Sequence, residues 1–387
     1  MAISHKKHIL VLSASTGAGH VRAAEALQKC AAEKYPEVKV THIDVLQYFT
    51  WIFRKLYAGT YVGLAKNHKS MWGYVYNKTD HSPRDVPTRS LRLMLQRINM
   101  KHWRKKIMEL NPDHIICTHF LPAEMIDKAI SKNIKLPSGI NNTPVSVVVT
   151  DFDVHWMWCL KYLNQFFVAS EEAALRLEGR NIDNNKINIT GIPVCPEFTK
   201  KYSQNEKKIE LNLAPDKITV LIMAGGYGIG KIDETAERLV KNFPDIQIIT
   251  IAGHNKKLLK TLDKLSNEYH DRIVSVGYTT EVEKYMAASD IVITKTGGMT
   301  SSECLAMGKP MIVINPIPGQ EERNATYLLE HSAAVMAYDD AGLDYKLQNI
   351  LTTPGQLSYM QSAARDISKP FAGFDIMEKV LFYHEKH

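Results

Sequence analysis

Twelve short runs of apolar, largely β-branched residues fall in two sets of six along the 387-residue chain. The first set reads "HILVLSAS", "VKVTHIDVL", "PDHIICTHF", "PVSVVVTDF", "NQFFVAS" and "INITGIP". The pattern restarts near residue 217 with "KITVLIMAGG", "IQIITIAG", "RIVSVGY", "DIVITKT", "PMIVINP" and "AAVMAY". Helical stretches such as "VRAAEALQKCAAEKY" and "PAEMIDKAISK" lie between them. Apolar runs without alternation, separated by helices, belong to a parallel sheet covered on both faces. The expectation is an α/β protein of two Rossmann-like αβα domains, facing each other across a cleft that takes the ligand. The chain is too long for one small core and suits two domains of about 150–200 residues. The first is expected over 1–198, with a helical insertion at 50–110. A polar linker at 199–216 and a second domain at 217–368 follow. After Pro370, the stretch 369–387 reads as a helix returning to the first domain.

Five scattered cysteines (Cys30, Cys117, Cys159, Cys195, Cys304) form no CxxC pair, so they read as reduced, buried thiols rather than a disulfide framework or a zinc site. No apolar run approaches the ~20 residues of a membrane span, and the N-terminus enters a strand too early for a signal peptide. A soluble or peripheral protein is expected. Its net charge of +7 is unevenly placed: residues 51–106 hold 13 Lys/Arg against two Asp and eight aromatics, a local +11 that leaves −4 for the rest. Basic residues with Trp and Tyr suit an anionic membrane surface or a nucleic acid, or serve as solvated helix faces.

Chemistry gathers at the strand ends. "SASTGAGH" carries Gly17 and Gly19 into a helix opened by His20, where a turn and free N–H groups suit an anion or polar head. His20 is there either a hydrogen-bonded structural group or a base. "MAGGYGIGKI" nearly spells a P-loop, but Ile232 stands where a Ser or Thr would hold magnesium. A glycine turn receiving a diphosphate without that metal is the better reading. "TDFDVH" offers Asp-x-Asp, a spacing that also arises by chance. Asp151 remains a candidate base or base-orienter, with Asp153 and His155 close behind. His114 and His119 read as packing or loop residues. In "ITKTGGMTSSECLAMGKP", Gly297 and Gly298 bring main chain close to a phosphate at a helix N-terminus. Glu303 on that helix suits a ribose diol; Gln320, Glu321 and Asn324 on the next suit sugar hydroxyls. Phosphates at one end and hydroxyls at the other describe a nucleotide sugar.

Together, "STGAGH", "VVVTDF", "ITGIP", "LIMAGG" and "ITKTGGMTSSECLAMGKPMIVINPIPGQEERNA" resemble the diacylglycerol glycosyltransferases, over roughly residues 8–340 in order. That group includes monogalactosyldiacylglycerol synthases and processive diacylglycerol glucosyltransferases. The resemblance implies a GT-B fold and inverting transfer of a hexose from UDP-glucose or UDP-galactose to diacylglycerol or a glycosyl-diacylglycerol, with no cofactor and no required metal. It implies donor-binding residues Gly225, Gly226, Gly228, Gly253, Tyr278, Lys295, Gly297, Gly298, Thr300, Glu303, Gln320, Glu321 and Asn324. It implies catalytic His20 and Asp151, and acceptor contacts at Gly17, Gly19 and His155. Ala18 departs from the three glycines of plant-type members, and His155 aligns only loosely.

Transfer to a neutral alcohol needs a base near pKa 7, which a histidine supplies; His20, oriented by Asp151, is the expected base. The basic, aromatic insertion lies in the half expected to bind the acceptor. Trp51, Trp72, Arg97, Lys101, Trp103, Arg104, Lys105 and Lys106 are accordingly expected to meet an anionic membrane, on its cytoplasmic face. Rival readings are a nucleotide-sugar 2-epimerase on a soluble substrate and a non-catalytic nucleotide-sugar sensor. A nucleic-acid partner is not expected, because no recognition motif is present. Replacing Arg97, Lys101, Arg104, Lys105 and Lys106 by Gln should release the protein from anionic liposomes in a flotation assay. Raising salt to 1 M, where screening shortens charge reach to ~3 Å, should do the same to the wild type. Flotation insensitive to both would place the docking surface elsewhere.

Overall fold

Strand β1 (His8–Ser13) is buried along its whole length. Ile9 and Val11 enter one apolar cluster with Ala24, Leu27 and Ala31, while Leu10 and Leu12 enter another with Val145, Val147 and Phe166. Two apolar faces at period two make the run read as continuously hydrophobic. The computed structural model describes residues 7–51, 73, 74, 76, 78–80, 106, 107, 109–131, 143–223 and 231–383. By contact the chain divides into two compact units. One comprises Met1–Pro196, Ile317–Gln320 and Phe371–His387; the other comprises Glu197–Pro316 and Glu321–Pro370.

In the first unit β1 is followed by α1 (Ala18–Lys34), β2 (Lys39–Asp44), β3 (His114–Cys117), α2 (Phe120–Ser131), β4 (Val145–Val148), β5 (Gln165–Val168), α3 (Glu171–Glu178) and β6 (Ile187–Ile189). The sheet order is β2-β1-β3-β4-β5-β6, and every pairing is parallel. The second unit holds α4 (Gln204–Glu210), β7 (Ile218–Met223), α5 (Ile232–Asn242), β8 (Ile246–Ile251), α6 (Lys256–Glu268), β9 (Ile273–Val276) and α7 (Val282–Ala288). It continues with β10 (Ile291–Thr294), α8 (Gly298–Ala306), β11 (Met311–Ile314), α9 (Gln320–Glu330), β12 (Ala334–Ala337), α10 (Asp340–Thr352) and α11 (Gln356–Asp366). Its sheet, again all parallel, runs β12-β11-β10-β7-β8-β9. All twelve expected strands are present.

The final helix, α12 (Ala372–Leu381), lays Ile376, Met377, Val380 and Leu381 into the cluster shared with α1. A Cβ at Gly373 would lie 2.6 Å from Cys30 Sγ, so only glycine lets the two helices approach this closely. The stretch read as a linker is not an open connection. It carries α4, whose Lys208 is buried and donates to Asp290 Oδ2 at 3.0 Å and to the Lys217 carbonyl at 2.7 Å. Gln204 and the Thr219 N–H also donate to Asp290. Polar residues look like linker in one dimension, but here they converge on one partly buried carboxylate. Of the insertion at 50–110, the described residues after Thr50 are helical; the remainder lies outside the described residues.

Removing one partner of a buried ion pair leaves the other uncompensated, at about 3–5 kcal/mol. Asp290→Ala should therefore lower the stability of the second unit by about that much, read as an earlier urea midpoint. A midpoint unchanged from wild type would show that the pair contributes nothing.

Candidate active site

In the first unit the direction of winding reverses between β1 and β3, and at such a switch point the loops leaving the strand carboxyl ends diverge. The glycine turn leaves β1 there, Thr118 and His119 leave β3, and Thr150 and Asp151 follow the neighbouring β4. His20 is the third residue of α1, partly buried. Its Nδ1 lies 2.9 Å from the Thr118 carbonyl oxygen and 2.9 Å from Thr150 Oγ1. A carbonyl can only accept, so Nδ1 carries the proton and the lone pair sits on Nε2. Burial pushes this imidazole down from 6.5 to about 4, against the pull of the Thr118 carbonyl. Desolvation is the leading cause.

Asp151 is partly buried just beyond Thr150; the orienting contacts on His20 Nδ1 come from Thr118 and Thr150. Asp153, the second carboxylate of the Asp-x-Asp, pairs with Arg176 Nε at 2.9 Å and accepts from the Val154 N–H. His155, expected at the acceptor, is buried with both ring nitrogens engaged by protein. Nδ1 accepts from the Met157 N–H, and Nε2 lies 3.1 Å from Thr79 Oγ1 and 3.2 Å from the Tyr76 carbonyl. The ring thus ties the loop after β4 to the middle of the insertion. Asp80 reinforces the tie by accepting from the Trp156 N–H and from Arg180. Trp51 is well exposed, and Lys106 is paired with Glu109. Trp72, Arg97, Lys101, Trp103, Arg104 and Lys105 lie outside the described residues.

In the second unit the corresponding switch point falls between β7 and β10. Gly225, Gly226 and Gly228, on the loop after β7, lie outside the described residues. From β10 the chain passes through Lys295, partly buried, to Gly297 and Gly298. Gly297 precedes α8 as its N-cap without a side-chain cap, just as Gly17 precedes α1. Helices α3, α6 and α10 begin instead with Ser170, Asn255 and Asp339 accepting from their own first-turn N–H groups. The two helices after glycine turns therefore keep their N–H groups clear of any side-chain cap. Neither glycine is demanded by the turn, since Gly17 is extended and Gly297 has φ −64, and a Cβ at either would meet no atom within 4 Å. What glycine gives at these two places is main chain without a side chain over it.

Thr300 is partly buried in the first turn of α8, and Glu303 is buried one turn on. Asn324 is buried and donates through Nδ2 to the Thr296 carbonyl at 2.9 Å, while Thr296 Oγ1 donates to the Glu321 carbonyl at 2.5 Å. These bonds pin α9 to the turn before α8, so that the Asn324 amide N–H serves the scaffold. Gln320 opens α9 and Glu321 is buried beside it. Gly253 has φ +60, which favours glycine. Exposed Tyr278 stacks on His254 with ring centroids 3.9 Å apart. Thr118, Thr150 and His254 were missed from sequence; their one signal is their place just past strand ends. Among the described residues, no group of three His, Cys, Asp or Glu is placed to hold a metal ion, and no helix is long and apolar enough to cross a membrane.

Residues 20–194 match the family model of monogalactosyldiacylglycerol synthase, and residues 219–372 that of the glycosyltransferase family 28 C-terminal domain. A processive diacylglycerol beta-glucosyltransferase of Bacillus pumilus is 26% identical, over 97% of this chain and 94% of the relative. One of Bacillus subtilis is 27% identical, over 97% and 95%. Among solved structures, the Staphylococcus aureus MnaA–UDP co-structure superposes with a TM-score of 0.61 at 15% identity, covering 98% of this chain and 97% of the other. MurG of Acinetobacter baumannii gives 0.60 at 13% identity, over 97% and 99%. A putative UDP-N-acetylglucosamine 2-epimerase of Listeria monocytogenes gives 0.64 at 14% identity, over 99% and 98%. At such identities these structures establish the fold alone, that of GT-B proteins with two parallel-sheet α/β domains. The two family matches follow one another along the chain, one on each sheet, and the protein is a glycosyltransferase. Over nearly its whole length it is similar to the diacylglycerol glycosyltransferases.

The depressed imidazole makes stability depend on pH. An unfolded histidine takes up a proton near 6.5, whereas folded His20 resists it until about 4. Stability is therefore full above pH 6.5 and is lost as pH falls toward 4. Buried His119 acts in the same direction, and Asp127, whose carboxyl burial raises to about 6, acts against it. Wild type should lose more stability than His20→Gln between pH 6.5 and 4, measured by thermal melting. Parallel curves would refute the depressed value.

Proposed function

We propose that the protein transfers a hexose from a uridine-diphosphate sugar to diacylglycerol, or to a glycosyl-diacylglycerol, at an anionic membrane surface and with inversion at the anomeric carbon. The observation that carries this reading is His20: a neutral imidazole with Nδ1–H held by Thr118 and Thr150, its lone pair on Nε2, beside an uncapped helix N-terminus. The acceptor hydroxyl attacks the anomeric carbon as the bond to the diphosphate oxygen breaks. The bonding pair leaves with the diphosphate, and Nε2 takes the hydroxyl proton. A single displacement inverts the centre. An imidazole pushed toward 4 is a weak base at rest, but the hydroxyl becomes far more acidic as its oxygen bonds to carbon, so transfer late in the step suits it. On the donor side, uncapped N–H groups of α8 and the dipole of that helix suit the departing diphosphate, with Lys295 supplying positive charge. Glu303 suits the ribose. The names of the relatives support glucose as the sugar and diacylglycerol as the acceptor. The basic, aromatic segment 51–106 supports peripheral docking.

The test is product analysis with UDP-glucose and UDP-galactose, with and without diacylglycerol in anionic vesicles. Glycosyl-diacylglycerol is the expected product; an epimerised nucleotide sugar formed without lipid would overturn the reading in favour of a 2-epimerase. His20→Ala should lower turnover about 10²–10⁴-fold, the usual worth of a general base, and leave UDP affinity unchanged in calorimetry. If saturating diacylglycerol rescues His20→Ala and Asp151→Asn is the slower enzyme, Asp151 is the base and His20 only a headgroup contact.

A further inference from the structure

Two histidines meet beside the glycine turn, and only one of them has a place in the reaction just described. His119 is fully buried, and its ring lies edge-on to that of His20, with centroids 4.4 Å apart and planes at 79°. The Leu121 N–H points at His119 Nδ1 from 2.9 Å. A main-chain N–H can only donate, so Nδ1 must offer a lone pair and the ring proton must sit on Nε2. That Nε2 lies 3.1 Å from Oγ1 of Thr16, which is itself buried, one residue before Gly17. The neighbouring rings are thus held in opposite tautomers by one short segment: Thr118 takes the proton of His20 Nδ1, and Leu121 denies a proton to His119 Nδ1. His119 has no nitrogen left on which to become a cation without breaking a main-chain hydrogen bond. A second cation at this distance would oppose protonation of His20; a locked neutral ring does not.

We propose that His119 and Thr16 are positioning residues for glycosyl transfer. The permanently neutral His119 ring orients His20, and its Nε2–H anchors the glycine turn through Thr16, so that His20 Nε2 is the one proton-accepting nitrogen of the pair. The proposal rests on His20 being the base. Burial holds His119 well below the ordinary histidine range, in keeping with the geometry.

Nitrogen-15 imidazole spectra of the wild-type protein at pH 7 need no variant. His20 should show its proton on Nδ1 and His119 on Nε2; a His20 proton on Nε2, or an equal mixture at either ring, overturns the proposal. His119→Asn keeps an acceptor for the Leu121 N–H but removes the ring and the bond to Thr16. It should lower kcat about 10–100-fold, the scale of a small misplacement of a reacting group, with KM for diacylglycerol in mixed micelles and UDP affinity both nearly unchanged. Thr16→Val should lower kcat in the same direction. The double variant should be no slower than His119→Asn, because the two act through one bond. A kcat within twofold of wild type in His119→Asn, or losses that multiply in the double variant, overturns it. If instead His20→Ala stays active while the spectra are as described, the base assignment fails and the tautomer lock stands.

Discussion

Parallel pairing governs nearly everything about this molecule. Parallel strands cannot be joined by tight hairpins, so each return must cross a face of the sheet, here mostly through a helix. That covers both faces and makes the central strands largely apolar, and it turns every strand-to-helix connection toward the same sheet edge. Where winding reverses, at β1/β3 and at β7/β10, neighbouring connections part and leave main-chain ends accessible. His20, Thr118 and Thr150 come together in the first unit for that reason. Lys295 and the Gly297–Gly298 turn reach the equivalent place in the second.

At these places the helices start without a side-chain cap. Helices α3, α4, α6 and α10 begin with a Ser, Asn or Asp that closes a first-turn N–H group, whereas α1 and α8 begin with glycines that close nothing, and α5, α7, α11 and α12 are uncapped as well. A glycine in the cap position forgoes roughly a few tenths of a kcal/mol relative to Ser, Asn or Asp. Sites that give up local stability are where ligand contact is expected to restore it. The imidazole of His20 is likewise held neutral by burial, a condition that suits a proton acceptor better than a surface residue.

Several polar residues that look like ligands in the sequence serve the scaffold instead. Asn324 ties α9 to the Thr296 carbonyl, Asp153 pairs with Arg176, and His155 binds the middle of the insertion. Each keeps a neighbouring loop in register, so each can matter to the reaction without touching a substrate. The partly buried Asp290, with Lys208, Gln204 and Thr219 gathered round it, plays that part for α4.

Taken alone, the chain's order of residues determined the twelve strands, the all-parallel class and the two glycine turns before helices, because these depend on periodicity and on local backbone chemistry. It also placed His20 at a strand end, since a strand, a glycine turn and a helix start are neighbours in sequence. What lay beyond it were pairings between residues about a hundred positions apart: Thr118 and Thr150 on His20, Thr16 on His119, and Lys208 on Asp290. Hydrogen bonds at 3 Å depend on sheet order and loop path, which periodicity does not carry. Only the tertiary structure decided which nitrogen of each histidine holds a proton, because that is set by the single donor or acceptor that the folded chain brings to it.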